Sequence, residues 1–238
     1  DNLKKVKRIP MLAVDYIAVR VPEMLPRYRE MQETVHAIIS EAFSNAVIEP
    51  GVTTTEDVQW WLRQKLADLG FTTWFQPSVA VQRAGETPPE EGAVVIQRGD
   101  MIWTDFGLVG MRLKTDTQHN GYILREGETD VPEGLKKCLA TGSRMQDIQA
   151  EELKPGRTGN EALAAALARM TEEGITGSLY SHPVGDHGHG AGPLVGLWDR
   201  QEGVPGRGDA KIRPSTWFSI ELQATGPVPE WGGKSVNC

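Results

Sequence analysis

The chain has 238 residues, 39% hydrophobic and 24% charged, a balance that suits one large soluble globular domain or two small ones and excludes a disordered chain. Its formal net charge of −7 argues against a nucleic-acid backbone or an anionic membrane as the main partner, since either needs a clustered basic surface. The one basic run, Lys4 to Arg8, is short, no apolar stretch reaches the roughly 18 residues of a membrane span, and no signal-peptide segment opens the chain, so the compartment stays unassigned.

Residues 1–20 read as a lead-in segment, and a start at Asp1 rather than Met leads us to expect a processed or trimmed piece. Val21-Pro22-Glu23 opens a helical stretch in which Met31, Val35, Ile38, Ile39, Ala42 and Phe43 follow the 3.6-residue period, so one face packs inward. It runs to the turn Pro50-Gly51. Val131-Pro132-Glu133 opens a second such stretch that runs to Pro155-Gly156. Pro50 and Pro155, Glu56 and Glu161, and Leu62 and Leu167 all share one offset of 105 (155 − 50). After each Pro-Gly turn a Thr is followed three residues later by Glu (Thr53 and Glu56, Thr158 and Glu161), the capping box that starts a second helix. Strand-rich sequence follows each helix pair: 71–82 and 101–124 in the first half, 179–183 and 217–225 in the second. The expected fold is α/β, with halves at about 21–130 and 131–238 related by a pseudo-twofold, strands pooled into one curved, mostly antiparallel sheet and helices outside.

Three carboxylates stand in strand-like apolar sequence: Asp105 in Met101–Gly107, Asp116 eleven residues on (116 − 105), and Glu221 in Thr216–Leu222. Burying an uncompensated carboxylate costs several kcal/mol, so these need a cation, an Arg or Lys, or a raised pKa; a shared metal would serve all three. Gly107-Leu108-Val109-Gly110 suits a hairpin that sets the two Asp side by side. Three of the five His fall between 182 and 189: His182, His187 and His189, the last flanked by glycines that let the backbone approach closely. Taken singly, Asp105 reads as a strand-end turn residue and the His group as a solvated loop; taken together, in this order, they read as a metal site. Cys138 and Cys238 suggest neither a disulfide framework nor a cysteine zinc site and read as incidental thiols. Asp105-Phe106-Gly107 and Arg207-Gly208-Asp209 match a kinase tripeptide and an adhesion tripeptide without the contexts that would give them meaning.

Asp105 and Asp116, Gly188-His189-Gly190-Ala191-Gly192, and Glu221 in Ser219-Ile220-Glu221-Leu222 together resemble the pita-bread metallopeptidases: methionine aminopeptidase, Xaa-Pro aminopeptidase and prolidase, with creatinase as a non-metal relative. Thr115-Asp116-Thr117-Gln118 and Pro50-Gly51-Val52-Thr53-Thr54 are similar to the Xaa-Pro aminopeptidase branch. The resemblance implies a pita-bread fold and a metal-dependent exopeptidase that hydrolyses a peptide bond with a metal-bridging hydroxide. It implies Asp105, Asp116, His189 and Glu221 as metal ligands, Asp116 bridging, and divalent ions (Mn, Co, Fe or Zn), two in a complete site and as few as one here. His182 and His187 are then the candidates for substrate binding or proton transfer; Trp198 and Asp199 are close enough in sequence to line a cleft but are assigned no role. A peptide is the implied partner, with neither nucleic acid nor membrane, and a homodimer is left open.

Departures from the pattern support a second expectation. The resemblance implies a final bridging Glu some twenty to thirty residues after the first, which from Glu221 falls beyond Cys238, so a C-terminal truncation is expected and Glu230 is the one later carboxylate that could substitute. No His occurs between Ser78 and Asp100, where the resemblance implies a transition-state His near Thr87, and none between His189 and Glu221. The alternative to an exopeptidase is therefore a catalytically impaired relative that acts as a peptide-binding or interaction module.

Overall fold

A computed structural model describes residues 2–85 and 92–238; Thr87 lies outside the described residues. The first half contributes α1 (Leu12–Ala18), α2 (Met24–Ala42), α3 (Thr55–Asp68), β1 (Ser78–Gln82), β2 (Met101–Phe106), the short pair β3 (Val109–Gly110) and β4 (Leu113–Lys114), and β5 (Thr117–Tyr122). The second contributes α4 (Glu133–Glu152), α5 (Gly159–Glu172), β6 (Gly177–Pro183), β7 (Phe218–Val228) and β8 (Lys234–Asn237). Each half is thus a helix pair followed by a three-stranded antiparallel sheet, β1-β2-β5 and β6-β7-β8. The α/β architecture with antiparallel strands is the one the sequence implies. The strands form three separate sheets among the described residues, these two and the β3–β4 pair, and the Gln82 side chain carries the continuity expected of one shared sheet: Gln82 Nε2 donates to Asn237 O at 2.7 Å and Asn237 N–H to Gln82 Oε1 at 3.0 Å.

The periodic face of α2 is buried as its spacing predicts. Tyr28, Met31, Val35, Ile38, Ile39 and Ala42 pack with Val58, Leu62 and Leu66 of α3 onto the first sheet. In the second half Met145 and Ile148 of α4 meet Ala162, Leu163, Ala166 and Met170 of α5 over Leu179 and Ala224. The capping boxes correct the repeat by one residue. In the second half Thr158 caps α5 and pairs with Glu161, as expected; in the first the cap is Thr54, paired with Asp57, and Thr53 instead turns its hydroxyl to Glu49 N–H. The helices therefore repeat at 104 (158 − 54), and a residue is gained between the Pro-Gly turn and the cap, because Thr54 and not Thr53 adopts the extended conformation of an N-cap. No helix among the described residues is long and apolar enough to cross a membrane.

The lead-in segment reaches the second half. Asp15 forms a two-point ion pair with Arg213 at 2.7 and 2.8 Å. Arg20, 2% exposed, sends Nη2 to Val184 O at 3.0 Å and Nη1 to Ile17 O, while its backbone N–H bonds Ser215 O at 2.9 Å.

Candidate metal centre

Strand register brings the acidic residues together. Asp105 lies across β2–β5 from Gln118 and across β1–β2 from Ser78; Tyr180 lies across β6–β7 from Glu221, and His182 across from Ser219. Because side chains alternate faces along a strand, Tyr180, His182, Ser219 and Glu221 share one face. Asp116 sits just before β5, at the foot of the β3–β4 hairpin. The connection from Asp105 is longer than a tight turn: Met111 and Arg112 take positive φ at its tip, and Thr115 closes its base, its N–H bonding Leu108 O while its Oγ1 accepts from Leu108 N–H. Gly107 is required there, since a Cβ would stand 2.4 Å from Thr115 O and 2.6 Å from the Trp74 indole nitrogen.

His182, 5% exposed, is the imidazole that joins the carboxylates. Its Nε2 is 2.6 Å from Glu221 Oε1 and 3.3 Å from Asp116 Oδ2, and its Nδ1 is 3.1 Å from Pro183 O. A backbone carbonyl on one ring nitrogen is the arrangement that aims the other nitrogen at a metal. Gln118 links the remaining carboxylate, donating Nε2 to Asp105 Oδ2 at 3.4 Å and to Glu221 Oε2 at 3.1 Å. The Tyr180 hydroxyl donates to the same Glu221 oxygen. Ligand atoms of Asp116, His182 and His189 lie within 4.8 Å of one another.

His189 occupies the edge of this group. It is exposed, with its ring edge-on to His182 (centroids 4.5 Å apart) and to Trp74 (5.2 Å). Gly188 beside it admits Trp74, whose ring a Cβ would approach to 2.3 Å. His187 is exposed and stands outside the cluster; its carbonyl accepts Gly185 N–H at 3.0 Å. Glu230 lies in the turn after β7 and reaches the start of α4, where its Oε1 accepts Gly134 N–H at 3.1 Å, away from the centre. Cys238 N–H and C=O pair with Ala224, three positions along β7 from Glu221 (224 − 221). The cysteines are free; Cys138 is buried against Ala224 O and Val236 O.

The electrostatics follow from burial. Desolvation, then the Asp116 and Glu221 charges, push Asp105 up to about 7 against the pull of His182. Burial alone would depress His182; its hydrogen bonds to Asp116 and Glu221 outweigh that and lift it to about 10. Burial also acts upward on Glu221, but the His182 and Tyr180 hydrogen bonds hold it below the ordinary carboxylate value. The His182 imidazolium is thus the cation that faces two buried carboxylates, and Asp105 Oδ1 is buried with no hydrogen-bond partner among the described residues. Three carboxylates, an aimed imidazole and an orphaned oxygen fit hard or borderline divalent ions, which would take the place of the imidazole proton.

Sequence reasoning put the ligand role on His189 and a substrate or proton-transfer role on His182; the structure brings both rings to Asp116, and His182 is the one in contact with Glu221 as well. The overlooked signal was strand alternation: with Glu221 on a strand and 179–183 on its neighbour, Tyr180 and His182 share a face toward Glu221. Gln118 and Tyr180 were missed because amides and phenols carry no ligand signature.

Two α/β halves with a carboxylate-rich donor set at their seam form a candidate divalent-metal site. The model of metallopeptidase family M24 matches residues 27–237, and the chain belongs to that family. Its fold is shared with an X-Pro aminopeptidase from Thermotoga maritima (TM-score 0.65, 19% identity, 96% of this chain and 60% of that one). It is also shared with a methionine aminopeptidase from Thermotoga maritima (0.60, 22%, 88% and 82%) and a variant of Escherichia coli aminopeptidase P (0.65, 14%, 95% and 54%). The chain thus spans less than two thirds of the length of the X-Pro aminopeptidase. A search of curated proteins finds no match.

Proposed function

We propose that the chain is the catalytic unit of a metal-dependent exopeptidase of Xaa-Pro type. The observation that carries this reading is the orphaned Asp105 Oδ1 within a group of three carboxylates, Asp116 and Glu221 joined by His182 and Asp105 joined to Glu221 by Gln118. Asp105, Asp116, His182 and Glu221 would hold the ions, which supply a water acidified toward neutral pH and charge stabilisation at the scissile carbonyl. Tyr180 Oη and Gln118 Nε2 fix the Glu221 carboxylate. His189, exposed beside His182, is placed to hand a proton to the departing amine. The Trp74 ring packs edge-on against His189, with Phe75 behind it. The Xaa-Pro assignment rests on the Thr115–Gln118 word and on fold likeness to an X-Pro aminopeptidase.

The second reading, a catalytically impaired, peptide-binding role, is supported by one observation: Glu230 turns its carboxylate to Gly134 N–H at the start of α4 and not to the centre. Titrating chelator-treated protein with Mn(II) or Co(II) by calorimetry, and then measuring turnover of Xaa-Pro peptides, separates the two. Tight metal binding with turnover supports the peptidase. Peptide binding without turnover supports the module, and failure to bind metal removes the first reading.

A further inference from the structure

Next to the metal centre lies a cavity of about 510 Å³, bounded by Trp103, Asp105 and Gln118 from the first half and by Tyr180, Glu221 and Trp198 from the second. Trp198 is 72% exposed, yet its backbone is firmly held. Trp198 and Asp199 form the tip of a two-residue turn closed by Leu197 N–H to Arg200 O (3.2 Å) and Arg200 N–H to Leu197 O (2.9 Å), with Gly196 in the left-handed region at φ 69°. Gln201 then clamps the turn to β6. Its Nε2 donates to Leu179 O at 3.0 Å and Leu197 O at 2.9 Å, and its Oε1 accepts Leu179 N–H at 3.1 Å. The strand so gripped is the one that carries Tyr180 and His182.

A second exposed tryptophan gives the contrast. Trp60 on α3 is 56% exposed, but its indole nitrogen faces Glu56 at 3.4 Å and Arg63 lies over its ring at 5.0 Å, so neighbours on its own helix occupy it. The Trp198 turn instead sets a large flat apolar surface at the mouth of a cavity that ends on Glu221. An aromatic group held in place before a ligand arrives offers contact area at little further ordering cost.

We infer that Trp198 is a specificity-determining residue, which with Trp103 forms the apolar wall that receives a non-polar side chain of a peptide beside the metal centre. This rests on the peptide-binding reading above and goes beyond it in naming the substrate class: peptides with a bulky apolar residue next to the scissile bond. Contact made equally in bound peptide and transition state raises KM when it is removed and leaves kcat unchanged.

The test compares metal-loaded wild type with Trp198→Ala, Trp198→Phe and the control Trp60→Ala, using Xaa-Pro tripeptides whose variable residue is Leu, Phe or Gly. Both turnover and calorimetric peptide binding are read. Expected for Trp198→Ala is a rise in KM or Kd of about tenfold for the Leu and Phe peptides, little change for Gly, and kcat within about twofold. Trp198→Phe should restore much of the loss, and Trp60→Ala should match wild type. Equal losses across all three peptides, or none, would overturn the inference, as would failure of every peptide to bind. Preferential binding of apolar peptides that Trp198→Ala abolishes, in a protein without turnover, would uphold it while the peptidase reading fails.

Discussion

The two halves of the chain share a plan and differ where chemistry is done. Each presents a helix pair, a Thr-capped second helix and a three-stranded antiparallel sheet, but each is interrupted at a different joint. The first inserts the β3–β4 hairpin between β2 and β5; the second inserts the long segment 184–217 between β6 and β7. The insertions meet: Lys114 N–H bonds Gly185 O at 2.7 Å and Lys114 Nζ bonds Asp186 O at 2.5 Å. Repeated elements build the frame, and the departures from repetition meet at the carboxylates and the His-bearing loop. The lead-in segment adds the third support, since the Arg20 guanidinium packs where a Cβ on Gly185 would stand.

Breaking that support should have the largest effect on stability. Arg20→Ala removes a buried guanidinium and leaves Val184 O and Ile17 O without their donor; we expect a loss of about 3 kcal/mol and reduced metal affinity, read by denaturant unfolding and calorimetry. Unchanged metal affinity would show that the His loop keeps its shape without the lead-in segment. Next is Gly188→Ala, which drives a methyl into Trp74 and should cost about 2 kcal/mol, a thermal shift that Gly226→Ala, with open space around it and no positive φ, should not share.

The seam between the halves should also set the pH dependence. Asp105 and His182 both have folded pKa values above their ordinary ones, about 7 against 3.8 and about 10 against 6.5. The folded state therefore holds more protons than the unfolded one between about pH 4 and 10, so stability of chelator-treated protein should fall as pH rises through that window. Asp105→Asn removes the Asp105 share, so its Tm at pH 8 should exceed that of wild type while metal affinity drops. A lower Tm for this variant would mean that Asp105 is satisfied in the metal-free fold. The smallest effect tests the one-residue shift in the repeat: Thr54→Ala should cost about 1 kcal/mol and Thr53→Ala distinctly less, whereas an offset of 105 would reverse that order.

Much of this was legible in the sequence. Apolar spacing in α2, the Pro-Gly turns and Thr158 with Glu161 are local signals that propensity and capping chemistry decide, and the order of Asp105, Asp116 and Glu221 carried the family. The cap at Thr54 was not legible, because three consecutive threonines offer the same side chain and only the backbone conformation chooses among them. The contacts of His182 were hidden for a related reason: glycines around His189 advertise close approach, here that of Trp74 to Gly188, whereas His182 owes its place to long-range pairing of β6 with β7. Arg20 is a contact across 164 residues that no local pattern announces.

The central proposal is that His182, whose Nε2 lies between Asp116 and Glu221, and not the more exposed His189 beside it, supplies the principal imidazole ligand of a metal centre shared by the two halves. Calorimetric titration of Mn(II) into chelator-treated wild type, His182→Ala and His189→Ala, with unfolding curves to confirm that each is folded, tests it most directly. The structure predicts an affinity loss of about 100-fold or more for His182→Ala and only a few-fold for His189→Ala. Tight binding that survives His182→Ala and vanishes in His189→Ala would contradict it.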